Sequence, residues 1–187
     1  MRVIAGTARS VPLKSRDGME TRPTTDRVKE AMFNIIQFEI EGRCVLDLFG
    51  GSGALAIEAL SRGAQQAVIV DKEQEAVSVI RENLERTALR SHAEIVRQDY
   101  MNYLNSCKKQ FDLVFLDPPY AEKFLENALK RISEIDILKS GGIIITERPA
   151  TKSLDGDFPG LERSKDYRYG KTVVTLFRKQ TGGQAHE

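Results

Sequence analysis

The sequence has no tryptophan, two cysteines, two histidines and six prolines. Cys44 and Cys107 show no metal-ligand spacing and offer no disulfide framework. Both read as reduced thiols in or near a core, and such a chain is expected in the cytoplasm. His92 and His186 lack any partner pattern, so neither is given a role and no metal site is expected. No apolar run approaches the roughly 20 residues of a membrane span. The opening MRVIAGTARS lacks the apolar segment of a secretory signal. Internal repeats and low-complexity tracts are also missing.

What remains is ordinary globular material. A length of 187 residues, 41% hydrophobic and 29% charged, suits one domain with a sizeable core and a small extension. The net charge of +1 conceals an uneven distribution. Residues 1–29 carry +4, residues 163–179 carry +5 and the remainder −8. Basic ends around an acidic middle suit a polyanionic partner gripped by the ends, although charge runs are also ordinary solvated faces.

Taken in order, residues 1–20 mix short apolar pieces with Gly6, Pro12 and Gly18, and read as a basic arm or small β-hairpin. Residues 21–37 predict a helix. Thr24 or Thr25 can cap it, Asp26 lies in its first turn, and Val28, Met32, Ile35 and Ile36 share a face. Arg22, Arg27 and Lys29 at its start are either surface charge or anion contacts. Val45 to Phe49 predicts a buried strand, Gly50, Gly51 and Gly53 a tight turn, and Ala54 to Arg62 a helix. Strand, glycine turn and helix together form a nucleotide-binding entrance, because glycines let backbone N–H groups approach a ligand. Asp47 at the strand end would repel a pyrophosphate and attract an ammonium group, or else it ties down the turn.

A second strand, Gln66 to Val70, ends at Asp71, where a carboxylate suits a ribose diol. A helix over Glu73 to Leu89 follows, then a third strand at Ala93 to Val96. Asp99 after it can accept from an adenine amino group or cap the next segment. The fourth strand opens FDLVFLDPPY, residues 111–120. Its apolar run fits a strand buried on both faces. The two prolines remove two donors and fix two φ angles, so the strand stops in a stiff loop bearing Asp117, Pro118, Pro119 and Tyr120. A helix over Glu122 to Leu138, a fifth strand at Ile143 to Thr146 after Gly141-Gly142, a loop at 151–159 and a hairpin around Gly170-Lys171 complete the order. The tail from residue 180 is expected to be disordered. Alternating strands and helices imply a Rossmann-like α/β fold. Its expected form is a seven-stranded, mostly parallel sheet with helices on both faces and one antiparallel strand from the C-terminal hairpin. The expected organisation is an arm over 1–20 and one catalytic domain over 21–179.

DLFGGSG at 47–53, Asp71, Asp99 and DPPY at 117–120 resemble the S-adenosylmethionine-dependent amino-methyltransferases. With IAG at 4–6, TRPTTDRVKEAMFN at 21–34, ALAIEALSRGA at 54–64 and YGKT at 169–172, the chain resembles the RsmD family from about residue 2 to 178. Gly51 stands where that family often has Ala, and Asp71 where Glu is common; both keep the chemistry. The resemblance implies transfer of a methyl group from S-adenosylmethionine to the 2-amino group of a guanine in small-subunit (16S) ribosomal RNA, free or within the subunit. It implies catalytic roles for Asp117, Pro118, Pro119 and Tyr120. It also implies a cofactor site from Asp47, Phe49, Gly50, Gly51, Gly53, Asp71, Lys72, Asp99, Tyr100, Arg22 and Thr24. RNA contacts are expected from Arg9, Lys14, Arg16, Arg27, Lys165, Arg168 and Lys171. The rival readings are a DNA adenine methyltransferase, another amino-directed methyltransferase, a nicotinamide-linked oxidoreductase and a non-catalytic assembly factor.

Overall fold

The structure is a computed structural model that describes residues 1–15, 26–119 and 123–180. Arg16, Arg22, Thr24, Thr25, Tyr120 and the tail from 181 onward lie outside the described residues, so the expectations placed on them receive no structural account.

The elements are α1 (Asp26–Ile35), β1 (Cys44–Asp47), α2 (Ala54–Ser61), β2 (Gln66–Asp71), α3 (Gln74–Arg86), β3 (Ala93–Arg97), α4 (Tyr100–Ser106), β4 (Phe111–Leu116), α5 (Phe124–Glu134), β5 (Leu138–Pro149), β6 (Leu161–Tyr169) and β7 (Thr172–Lys179). The strands form one seven-stranded sheet in the order β3-β2-β1-β4-β5-β7-β6. β1 to β5 run parallel, and β7 is antiparallel to both β5 and β6. The chain winds outward from β1 to β3, then crosses back to β4 on the other side of β1. That reversal opens a crevice at the carboxyl ends of β1 and β4, the place where open α/β sheets take ligands.

The uninterrupted apolar run of β4 is explained by burial on both faces. Leu113 and Phe115 join one cluster with α1, α2 and the N-terminal arm, while Val114 and Leu116 join a second with α4 and α5. On the first face the Phe33 ring of α1 meets the Phe115 ring at 5.5 Å, and the Arg62 guanidinium covers Phe33 at 4.8 Å.

Residues 1–13 make the small hairpin the glycines suggested, bridged at Arg2 and Pro12. Helix α2 holds it. Glu58, buried in α2, accepts the Ile4 and Ala5 N–H groups at 2.8 and 3.0 Å and pairs with the fully buried Lys29 at 3.2 Å. Ser61 accepts the Ala8 N–H through Oγ and the Thr7 N–H through its carbonyl. Gly6 is required there: a Cβ would lie 1.7 Å from the Ser61 carbonyl oxygen, and φ is +84°.

Four boundaries differ from the sequence reading. Helical spacing predicts that α5 reaches Leu138, but Ile135 is already extended (φ −120°, ψ 153°) and Leu138 opens β5 opposite Phe111. Ile135, Ile137 and Leu138 keep the apolar spacing of the helix, yet they pack into the second cluster as extended chain. Gly141-Gly142, expected as the turn before the strand, lies inside β5 at an irregular stretch of its pairing with β4. Helix α1 likewise ends at Ile35 rather than 37, and α3 at Arg86 rather than 89.

Candidate active site

The crevice is built from the turns that leave β1, β2, β3 and β4. β1 ends at Asp47, opposite Phe115 of β4, so the two strands bring Asp47 and the Asp117 loop to the same end of the sheet. Asp47 is 1% exposed, and neither carboxylate oxygen has a hydrogen-bond partner among the described residues. The Phe49 and Ala56 N–H groups face it and oppose the shift, but neither reaches hydrogen-bond geometry. Desolvation dominates, and with help from the Asp71 charge it pushes the Asp47 carboxyl up to about 7. The idea that Asp47 ties down the turn therefore fails: the turn is tied by other groups.

Those groups are backbone and Asp71. The Gly50 N–H donates to the Val70 carbonyl at 2.8 Å, which draws the turn against β2. Gly50 admits no side chain, since a Cβ would lie 2.6 Å from Ile69 Cγ2. Asp71 accepts the Gly51 N–H on Oδ2 and the Glu73 N–H on Oδ1, both at 2.9 Å. A carboxylate has about four acceptor positions, so both oxygens keep capacity for a ligand hydroxyl. Lys72 beside it is exposed, 4.0 Å from Glu73.

Asp99 caps α4: its Oδ1 accepts the Met101 N–H at 2.9 Å and the Asn102 N–H at 3.3 Å. Of the two roles open to it from the sequence, the capping one is present. Next to it, three rings gather from three elements. Phe49 lies 5.0 Å from Tyr100 and 6.3 Å from Phe124, and Tyr100 meets Phe124 edge-on at 5.5 Å. Phe49 and Tyr100 are among the residues expected at the site; the sequence offers Phe124 only as part of a helix face.

Asp117 and Pro118 follow β4 directly, half-buried and buried, with Pro119 exposed. Beside this loop is a cleft of about 390 Å³, walled by Pro118, Pro119, Glu147, Arg148, Pro149 and Lys152 among others. The sequence alone singles out none of the wall residues between 147 and 152.

The described members of the expected RNA contacts come from several separate elements. Arg27 is exposed at the start of α1, which leads back through a short turn to the start of β1; its N-terminus therefore lies toward the crevice end. Arg168 and Lys171 are exposed at the β6–β7 tip, and the Lys171 carbonyl takes the Ala150 N–H, which fixes that tip beside the end of β5. Lys165, exposed, lies against the Tyr167 ring, and Tyr167 packs on the α1 side of the sheet, away from Arg168. Arg9 is exposed near Ser61, at the end of α2 remote from the glycine turn. Lys14 pairs with Glu82 at 2.9 Å; both are substantially exposed, so the pair is weak and exchangeable.

Asn83 escapes the sequence reading altogether. Buried on α3, it accepts the Lys14 N–H at 2.8 Å and donates to the Lys14 and Ser52 carbonyls at 3.0 and 2.8 Å. One side chain thus joins the arm to the glycine turn. The available signal is a polar residue on the apolar stripe of α3, next to Leu84 and three residues after Ile80.

A doubly wound sheet with a glycine turn after β1 and an acidic proline loop after β4 defines a Rossmann-like methyltransferase fold, and comparison with known proteins narrows this. The family described as Conserved hypothetical protein 95 matches residues 1–178. YlbH of Bacillus subtilis (strain 168) is 39% identical over 183 residues, covering 96% of this chain and 100% of that protein. Ribosomal RNA small subunit methyltransferase D of Haemophilus influenzae is 35% identical over 159 residues, covering 82% and 81%. Among solved structures, yhhF of Escherichia coli superposes with a TM-score of 0.86 at 29% identity, covering 96% of this chain and 98% of that one. The chain belongs to this family, the RsmD-type methyltransferases.

Proposed function

We propose that this protein transfers a methyl group from S-adenosylmethionine to the exocyclic N2 amine of a guanine in small-subunit ribosomal RNA. The Haemophilus influenzae and Escherichia coli relatives named ribosomal RNA small subunit methyltransferase D support the substrate class. The observation that carries the reading is the buried Asp47 carboxylate, without a hydrogen-bond partner among the described residues, at the switch point, one strand away from the Asp117 loop.

The residues fit the cofactor. A desolvated carboxylate wants a cation, and S-adenosylmethionine brings an ammonium and a sulfonium; a pyrophosphate would add charge of the wrong sign. This disfavours the nicotinamide reading. Gly50, Gly51 and Gly53 keep the approach free of side chains. Asp71, with acceptor capacity left on both oxygens, takes the ribose hydroxyls. The Phe49, Tyr100 and Phe124 rings give a flat base an apolar wall. Asp99 keeps its capping role and remains within reach of the same region through its second oxygen.

When bound, the cofactor supplies a methyl group already activated by its sulfonium. The protein's task is then positioning. The guanine N2 lone pair is delocalised into the ring, and the nitrogen must turn pyramidal to use it. The Asp117 carboxylate and the Pro118 carbonyl accept the two N–H bonds and aim the lone pair. They also stabilise the positive charge that develops on nitrogen, the inverse of an oxyanion hole. One proton must leave that nitrogen afterwards, and the Asp117 carboxylate is the adjacent acceptor. The prolines hold both acceptors still. Tyr120 stacks on the extruded base, since a stacked base is out of reach.

Asp117→Ala tests the assignment. It is expected to lower transfer by at least a hundredfold while the cofactor dissociation constant changes less than threefold. An active Asp117→Ala enzyme overturns the assigned role.

A further inference from the structure

Beyond the first cleft lies a second, of about 460 Å³, which shares Arg148, Lys152 and Ser153 with it. Four cationic residues line it, Arg148, Lys152, Arg163 and Arg168, against two acids, Asp155 and Asp166. Its floor is set by strand register. Arg148 of β5 is opposite Val173 of β7, and Val173 is opposite Arg168 of β6. Residues directly opposed across antiparallel strands share a face, so both guanidinium stems rise from the same side. The next row is Thr146, Thr175 and Asp166 on that same side.

Asp166 organises the cluster. Its Oδ2 accepts from Arg148 Nη2 at 2.7 Å and from Arg163 Nη2 at 2.8 Å, and its Oδ1 accepts from Thr175 Oγ1 at 2.8 Å. Burial raises the Asp166 pKa, but the Thr175 and Arg163 bonds outweigh it and hold the carboxylate below its ordinary range. Arg148 also donates to the Lys152 carbonyl at 3.0 Å, and Arg163 to the Leu154 carbonyl at 2.8 Å. These bonds pin the β5–β6 loop and fix two guanidiniums in place. Arg148 is only 8% exposed, and its Nε has no partner among the described residues. The one carboxylate among them is already shared between two arginines, which leaves surplus positive charge. The other acid, Asp155, is bonded to Ser153.

We propose that this second cleft binds a backbone phosphate of the RNA strand next to the methylated nucleotide. This rests on the RNA reading above. With the target base in the cleft beside Pro118 and Pro119, the strand leaves across Arg148 and Lys152, and a phosphodiester meets the pinned guanidiniums and Arg168. Pre-fixed arginines suit this work, because little side-chain entropy is lost on binding.

The test uses the full-length protein and unmodified small-subunit rRNA, with binding measured across a series of salt concentrations. Neutralising one phosphate-binding cation should reduce the steepness of log K against log salt by about 0.7–0.9. Arg168→Gln and Lys152→Gln are each expected to show that reduction. Each should also raise the KM for RNA about fivefold or more at physiological salt, with cofactor affinity within twofold of wild type; for Arg168→Gln, at a residue that lines the second cleft and not the first, kcat also stays within twofold. Lys108→Gln, an exposed change between α4 and β4, should leave the slope unaltered. Unchanged slopes in both cleft variants of an enzyme that still methylates RNA would overturn the subsite alone. A Lys108→Gln effect of equal size would also overturn it, by showing a general charge effect. Failure of the wild type to bind or methylate RNA would overturn the subsite and the proposed function together.

Discussion

The Asn83 side-chain amide donates to the Ser52 carbonyl at 2.8 Å, so a helix residue outside the crevice holds the middle of the glycine turn. The same side chain pairs with both backbone groups of Lys14. Removing it strands three backbone groups, each costing about 1–3 kcal/mol if it stays unpaired. Asn83→Ala should therefore weaken S-adenosylmethionine about tenfold by calorimetry, alongside a lower melting temperature. A lower melting temperature with unchanged cofactor affinity would reduce Asn83 to a purely structural role.

Asp47 is the opposite case, a buried group without hydrogen-bond partners among the described residues. Its carboxyl titrates near 7 in the folded protein against 3.8 for the ordinary group. Between those values the folded state holds the extra proton, so this contribution to stability is full at low pH and is lost as pH rises through 7. A shift of this size corresponds to roughly 4 kcal/mol as an upper bound. Asp47→Asn, which stays neutral, should melt several degrees above the wild type at pH 8.5, by a smaller margin at pH 5, and match it only below the ordinary carboxyl value of 3.8. It should also bind S-adenosylmethionine at least tenfold more weakly. Equal melting temperatures at both pH values would contradict the unpartnered state of Asp47.

The arm depends on Glu58. This buried carboxylate accepts from Ile4, Ala5 and Arg62 and faces Lys29 at 3.2 Å. Losing one partner of a buried pair costs about 3–5 kcal/mol because the other charge is left behind. Burial already lowers the Lys29 pKa, against the pull of Glu58. Glu58→Ala should reduce stability by about that amount in urea titrations and speed hydrogen exchange at the Ile4 and Ala5 amides. Protection of those amides equal to wild type would show that the arm is held elsewhere.

The parallel sheet is legible in the sequence because its strands are short apolar runs between turn residues, and the crevice follows from which strand ends carry acids. Asp47, Asp71, Asp99 and Asp117 all sit where their positions after apolar runs suggest. The end of α5 is not legible: Ile135, Ile137 and Leu138 satisfy helical spacing and extended packing equally well, and only tertiary contacts decide. The supports of the site are hidden for a related reason. Asn83, Glu58 and Arg148 are polar residues on elements whose polar positions usually face water, and apart from Arg62 and the Lys152 carbonyl their partners are 18 to 69 residues away in the chain. Lys165 and Arg168, both expected RNA contacts, part by simple alternation, since residues three apart on a strand face opposite sides.

Mapping the methylated product bears on the proposed chemistry without intermediaries. Wild-type protein is incubated with labelled S-adenosylmethionine and unmodified small-subunit rRNA, both free and in the subunit, and the labelled nucleotide is identified by mass spectrometry. The expected outcome is one labelled nucleotide, N2-methylguanine, absent with Asp117→Ala. Label on an adenine amine, label on protein, or label that persists with Asp117→Ala would contradict it.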